Sequence, residues 1–258
     1  MKFFKKILPF IFISLMFFGG TGHALAGERE DIISTFERIA PSVGALYAQQ
    51  ENGNITFLCS ATAVGHEEEK TIILTANHCL QKGVSYLINF GDNRLRKLLV
   101  WKIPHYEADK NNYPRIYNEP ETDMALFLMD GTDVPVVPLA GENEKTKSGG
   151  KIVMIGYPLG VTKINYEGII AGYFDRLGSD IYNYLMLQIF ASSGSSGSAV
   201  IDVNTGKVVG VLVAAKSAYA GLPVIFATPI DYIKHLMQVR EQNVETKPIY
   251  YPNPDGDN

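Results

Sequence analysis

Residues 184–215 read YLMLQIFASSGSSGSAVIDVNTGKVVGVLVAA. Three short apolar runs stand out in this stretch: YLMLQIF (184–190), AVIDV (199–203) and KVVGVLVAA (207–215). NTG at 204–206 separates the last two and is a hairpin signal. The piece between the first two, ASSGSSGS, has the composition of a flexible linker. A linker, however, separates domains, and this one separates two core-like strands. A Gly/Ser turn in that place needs a physical reason. One reason is a backbone that curls tightly and aims its N–H groups at an anion, which glycine and small residues permit.

The same pattern extends along the chain from about Pro41. Upstream lie GALYA, TFLCSATAV, KTIILTA, SYLINF, KLLVWKI, MALFLM, KIVMIGY and GIIAGYF, and downstream lies PVIFATPI. The runs are rich in Val, Ile, Phe and Tyr and are broken by Gly, Asn, Asp and Pro. That is the pattern of antiparallel β sandwiches and barrels, not of βαβ units. Twelve runs exceed one small barrel, so two barrels are expected. Two helices are also expected. EREDIISTFERIA carries Ile32, Ile33, Phe36 and Ile39 at roughly helical spacing and stops before Pro41. DYIKHLMQVREQ follows Pro229, with Asp231 as its N-cap. The final VETKPIYYPNPDGDN lacks periodicity and reads as a disordered tail. No internal repeat is visible.

The first 26 residues read as a secretory leader: lysines 2, 5 and 6, the apolar run ILPFIFISLMFFGG, and the small-x-small ALA at 24–26. An uncleaved anchor is the alternative, but the run falls short of the ~20 residues a span needs. Cleavage after Ala26 leaves 232 of the 258 residues, and the loss of three lysines takes the formal net charge from −4 to −7. With no basic stripe, nucleic acid is not expected as a partner. No stable membrane insertion is expected after cleavage. The two cysteines, Cys59 and Cys79, suggest one disulfide in an exported chain. A zinc site would need further ligands at metal-binding spacing, and none is seen. His66 and His235 read as solvent-facing residues and His105 as a loop residue.

A serine acts as a nucleophile only with a base, and a histidine base needs a carboxylate to fix its tautomer. Both types stand at strand ends here: His78 in ILTANHC (73–79) and Asp123 in ETDMALFLM (121–129). TANHC, TDMALF and GSSGSAV, in that order, resemble the histidine turn, aspartate strand and nucleophile turn of trypsin-like serine proteases. FERIAPSVGALYA, VMIGYPLGV, VVGVLV and VIFATPID resemble the bacterial periplasmic Deg-type members of that family. The likeness runs from about residue 35 to 240, and no peptide-binding PDZ domain is expected after it. Ser198 and Ala199 depart from a common Gly and Pro.

The resemblance implies an all-β fold of two antiparallel six-stranded barrels with a C-terminal helix. The first barrel would cover about 41–140, the second 141–230 and the helix 231–242, within a protease unit of 27–243 and before a tail at 244–258. It implies His78 as base, Asp123 as orienting acid and Ser196 as nucleophile, with the Gly194 and Ser196 N–H groups as the oxyanion hole. Cys59 and Cys79 would bridge adjacent strands beside the histidine turn. Phe190, Ala191, Val213, Ala214, Ala215 and Phe226 would wall an uncharged substrate pocket. The implied activity is that of a secreted or periplasmic serine endopeptidase, needing no cofactor and no metal and acting on a protein or peptide substrate. Two alternatives stand beside it: a trypsin-fold binding protein without the chemistry, and an esterase using the same triad.

Overall fold

The computed structural model describes residues 31–102, 123–141, 144, 146–174, 184–217, 223–232 and 237. Residues 31–39 form a helix that buries Ile32, Thr35 and Ile39 on one face and leaves Ile33 to solvent. A single 3-10 turn, Ala40–Ser42, then feeds the first strand.

The first six strands are β1 (Val43–Gln49), β2 (Ile55–Glu67), β3 (Lys70–Thr75), β4 (Ser85–Asn89), β5 (Arg96–Lys102) and β6 (Ala125–Asp130). They close into a barrel in the order β1-β2-β3-β6-β5-β4. Closure comes from β1 against β4, with Leu46 opposite Ile88. The next six are β7 (Lys151–Gly156), β8 (Ile164–Phe174), β9 (Tyr184–Gln188), β10 (Ala199–Asp202), β11 (Val208–Ser217) and β12 (Pro223–Pro229). They close as β10-β11-β12-β9-β8-β7, with Val200 of β10 opposite Met154 of β7. Read round the ring, this order is the topology of the first barrel again, although no repeat is visible in the sequence. Full closure leaves neither sheet an open edge.

Each of the twelve apolar runs is one strand. Most strands are buried on both faces, one toward the barrel interior and one toward neighbouring segments. Leu46, Ile73, Ile88, Leu126 and Phe127 are fully buried in the first barrel, and Ile152, Met154, Val200 and Val211 in the second. The NTG turn joins β10 to β11 as expected. Gly206 takes φ +65, Gly206 N–H donates to Asp202 O at 2.8 Å, and the Asp202 carboxylate accepts from Thr205 N–H at 2.9 Å.

The barrels are stitched together by the segment after β6. Val137 N–H donates to Ala63 O of barrel one, while Val208 N–H of barrel two donates to Pro138 O, both at 2.9 Å. Lys163, just before β8, reaches across to donate to Ala40 O at 2.6 Å and Phe90 O at 3.1 Å. Burial holds its ammonium pKa below the ordinary lysine value. Past β12, residues 230–232 and 237 are helical, so this helix begins before Asp231. The leader at 1–26 and the tail at 244–258 lie outside the described residues. No helix among the described residues is long and apolar enough to cross a membrane.

Candidate active site between the barrels

β3 ends at Thr75, and a 3-10 turn of Asn77–Cys79 carries His78 out of the barrel. β6 pairs with β3 along its length, so the residues just before β6 arrive beside that turn. Asp123 is one of them. It holds His78 at two points: the backbone N–H donates to Oδ1 at 2.8 Å and Nδ1 lies 2.6 Å from Oδ2. A carboxylate only accepts, so the proton of this bond sits on Nδ1 and the Nε2 lone pair is left free. The His78 side chain is 45% exposed and that of Asp123 28%, so the pair faces outward, with the carboxylate the more enclosed.

Cys79 leaves the same turn toward β2 and is joined to Cys59. Donor atoms of Cys59, His78 and Cys79 lie within 4.8 Å of one another. Both sulfurs are spent on the disulfide, so the cluster does not present a metal-ligating set.

The turn at 193–197 belongs to the second barrel, and its conformation can be followed peptide by peptide. Ser193 O accepts from Leu159 N–H at 2.7 Å. Gly194 O accepts from Ser60 Oγ–H at 2.8 Å. Ser195 O accepts from Ser198 N–H at 3.1 Å, and Ser196 O from Ser60 N–H at 2.9 Å. All four carbonyls are therefore held from outside the turn's mouth. In a trans peptide the N–H points opposite to the C=O. The N–H groups of Gly194 and Ser196 thus point away from Leu159 and Ser198, and neither has an acceptor among the described residues.

Only glycine suits two of these positions. Gly194 has φ +89, and a Cβ there would lie 2.6 Å from Tyr157 O and 2.9 Å from Leu159 N. Gly197 has φ +82, and a Cβ there would lie 2.2 Å from Ser60 O and 2.3 Å from Thr75 Oγ1. The second clash shows how closely the turn of barrel two abuts the end of β3, three residues before His78. The Ser196 hydroxyl makes no hydrogen bond among the described residues, to His78 included. Ser195, by contrast, is fully buried, and its Oγ accepts from Ser192 N–H at 3.4 Å.

The expected pocket residues fall in three places. Ala191 is half-buried and Val213 buried, both against the core. Ala214 and Ala215 pair with Phe226 and Ile225 across β11–β12. Phe226 meets the Tyr184 ring edge-on at 6.0 Å. Phe190 is 69% exposed, its ring tilted 5.9 Å from Tyr166, so it stands at the rim.

Two residues of this site carry no role in the sequence reading: Ser60 and Leu159. Leu159 takes a left-handed φ of 54 between Pro158 and Gly160, and this aims its N–H at Ser193 O. A leucine carries no sequence signal for that conformation, though the flanking Pro and Gly mark a turn. Of the other histidines, His66 shares a 3.3 Å hydrogen bond with Thr71 Oγ1. His105 and His235 lie outside the described residues.

Comparison with known proteins bears on the fold and the family. A probable periplasmic serine endoprotease, DegP-like, of Pseudomonas putida (strain W619) is 33% identical over 163 residues, which are 62% of this chain and 30% of that protein. A DegP-like counterpart from Bartonella henselae is 27% identical over 168 residues, 64% of this chain and 30% of its own. The chain thus spans about a third of the length of the curated relatives it matches. Among solved structures, the HtrA-type protease AlgW with a tripeptide superposes with a TM-score of 0.61 at 24% identity, covering 80% of this chain and 62% of that one. The serine endoprotease from Yersinia pestis gives 0.58 at 21% identity, covering 79% and 64%. A family model described as a trypsin-like peptidase domain matches residues 59–211, more than half of the sequence. The chain belongs to the trypsin-like peptidase family.

Proposed function

We propose that the protein is an exported serine endopeptidase that works through Ser196, His78 and Asp123. The observation that carries this reading is the two-point bond of Asp123 to His78. It fixes the Nδ1–H tautomer and leaves Nε2 as the proton acceptor that a serine nucleophile requires. Ser196 Oγ attacks the scissile carbonyl and passes its proton to His78 Nε2. The developing oxyanion is taken by the N–H groups of Gly194 and Ser196, which the turn leaves without acceptors. His78 then protonates the leaving amine, and water, activated by the same imidazole, hydrolyses the acyl-enzyme. The Ser196–His78 hydrogen bond is made with substrate in place, since such bonds are often open in the free enzyme. Cys59–Cys79 braces the turn that carries His78. No metal or cofactor enters these steps.

The side chain before the scissile bond meets Ala191, Val213, Ala214, Ala215 and Phe226, with Phe190 at the rim. None of these can neutralise a charge, and burying an unpaired ammonium or carboxylate is costly. The preferred side chains are therefore small to medium and apolar. Residues 1–26 direct export and are cleaved after Ala26, so the mature chain begins at Gly27 in the periplasm or outside the cell.

The test combines a fluorophosphonate probe with a mixed peptide library. The probe should label the wild-type chain at Ser196, and Ser196→Ala should lose labelling and about 10⁶ in turnover. Cleavage should follow Val, Ala, Leu or Ile. A chain that neither labels nor cleaves is a binding protein on this fold. One that labels but turns over only short-chain esters is an esterase. Dominant cleavage after Arg, Lys or Glu would move the pocket elsewhere.

A further inference from the structure

We propose that Ser60 is the positioning residue of the oxyanion site, and that its hydroxyl sets the direction of the Gly194 peptides. The inference rests on the proposed reading of Gly194 and Ser196 as oxyanion donors. Ser60 lies on β2, directly after Cys59, and is fully buried. A serine hydroxyl offers one donor and two acceptor sites. Here the donor is spent on Gly194 O at 2.8 Å, and an acceptor site receives Tyr157 N–H at 2.8 Å. Both partners are backbone groups of barrel two, on two different loops. The backbone N–H of Ser60 binds a third, Ser196 O, at 2.9 Å.

These three bonds reach three of the four peptides that flank the two donors; the fourth, Ser195–Ser196, is held by Ser198 N–H at 3.1 Å. The Gly194–Ser195 peptide is held directly by the hydroxyl. The Ser193–Gly194 peptide is held by Leu159 N–H, two residues beyond Tyr157, whose own N–H is fixed by the same hydroxyl. The Ser196–Gly197 peptide is held by the Ser60 main chain. One residue of barrel one thus references the anion-facing turn of barrel two. The hydroxyl lies beside Gly156, where an added Cβ would come within 3.0 Å of Ser60 Oγ. Remove it, and Gly194 O and Tyr157 N–H become an unpaired buried acceptor and donor. Buried backbone groups rarely stay unpaired, so the Gly194 peptides rotate to find other partners. The Gly194 N–H then leaves the line on which the oxyanion forms. Since that interaction strengthens in the transition state, the loss falls on kcat and not on KM.

The experiment uses the full exported chain and Ser60→Ala. Its kcat on a peptide substrate should fall roughly 10- to 100-fold, short of the full loss of an oxyanion donor, with KM within about twofold. Affinity for a peptide boronate, whose tetrahedral adduct places an oxygen where the oxyanion sits, should fall in parallel. A crystal structure of Ser60→Ala should show the Gly194 carbonyl turned away from β2. Should Ser60→Ala not fold, Gly156→Ala combined with Ser198→Ala reads the same effect. The Gly156 Cβ then presses on Ser60 Oγ, while the Ser198 hydroxyl it would strike at 2.4 Å is gone. Wild-type kcat in the variant overturns the proposal, as does a loss confined to KM or a loss of kcat with boronate affinity unchanged. If the wild-type chain itself neither labels nor cleaves, the peptidase reading fails. The crystal structure then decides the Ser60 proposal alone, with a Gly194 carbonyl still seated on β2 overturning it.

Discussion

Gly194 carries two demands that no other residue meets together. Its φ of +89 lies where a side chain is strained, and its Cβ direction is filled by Tyr157 O, Leu159 N and the Phe57 ring. Gly194→Ala must therefore shift the peptide whose N–H faces the cleft. The barrels do not depend on this peptide, since no strand includes it. The expected outcome is a folded protein with kcat lower by about 10²- to 10³-fold, the scale of one lost oxyanion donor. Steady-state kinetics beside a thermal melt checks this; wild-type kcat in a folded Gly194→Ala would remove Gly194 from the site. The likeness of GSSGSAV to the family's nucleophile turn marked Gly194 and Ser196 as candidates in the sequence. Ser60 was not legible, because a serine within LCSATAV looks like any small residue of a half-buried strand. Its partners are 97 and 134 residues away, and local pattern holds no trace of them.

At the scale of the element, short apolar runs bounded by turn residues gave away the twelve strands, since β-branched and aromatic residues fit a pleated surface. Which strand pairs with which was not legible. β1 meets β4 and β3 meets β6, contacts set by closure of the ring and by no turn signal. One connection outside the cleft shows how these loops are held. Between β4 and β5, Asp92 takes both Nη atoms of Arg96, at 3.1 and 2.7 Å, and Nε of Arg94 at 3.0 Å. The Arg96 hydrogen bonds, ahead of those from Arg94, hold the Asp92 carboxyl well below the usual carboxylate range. A depressed folded-state pKa stabilises at every pH above the unfolded value of about 4, and that stability is lost as pH falls through the folded value. Asp92→Asn should therefore melt below wild type at pH 6, with the gap closing as the pH drops below about 4. Asp92 is exposed, so the gap should also shrink in high salt. A gap that widens in acid would mean that the carboxylate is not the group responsible.

At the scale of the molecule, the site exists only where the two barrels meet. His78, Asp123 and Ser60 come from the first, and Tyr157, Leu159 and the turn at 193–197 from the second. Each barrel is a closed ring of six strands and has the architecture to melt alone. The joins argue against it. Ser60 binds three backbone groups across the seam, Lys163 binds two in the other direction, and the segment at 137–140 is hydrogen-bonded to both barrels. The buried apolar side chains of the two barrels also form one continuous cluster. Opening either barrel alone would strip these partners from the other and expose its share of that cluster, so the chain should unfold as one unit. The probes are already in place. Trp101, the only tryptophan, sits on β5 and its fluorescence reports the first barrel. Tyr157, Tyr166, Tyr173 and Tyr184 all belong to the second and contribute to the near-ultraviolet dichroism. Urea transitions followed by the two signals should share one midpoint and one slope. Lys163→Met removes one tie between the barrels and should move both transitions together to lower urea. Two separated midpoints in the wild-type chain would show that the barrels are independent, and that the site is assembled by docking.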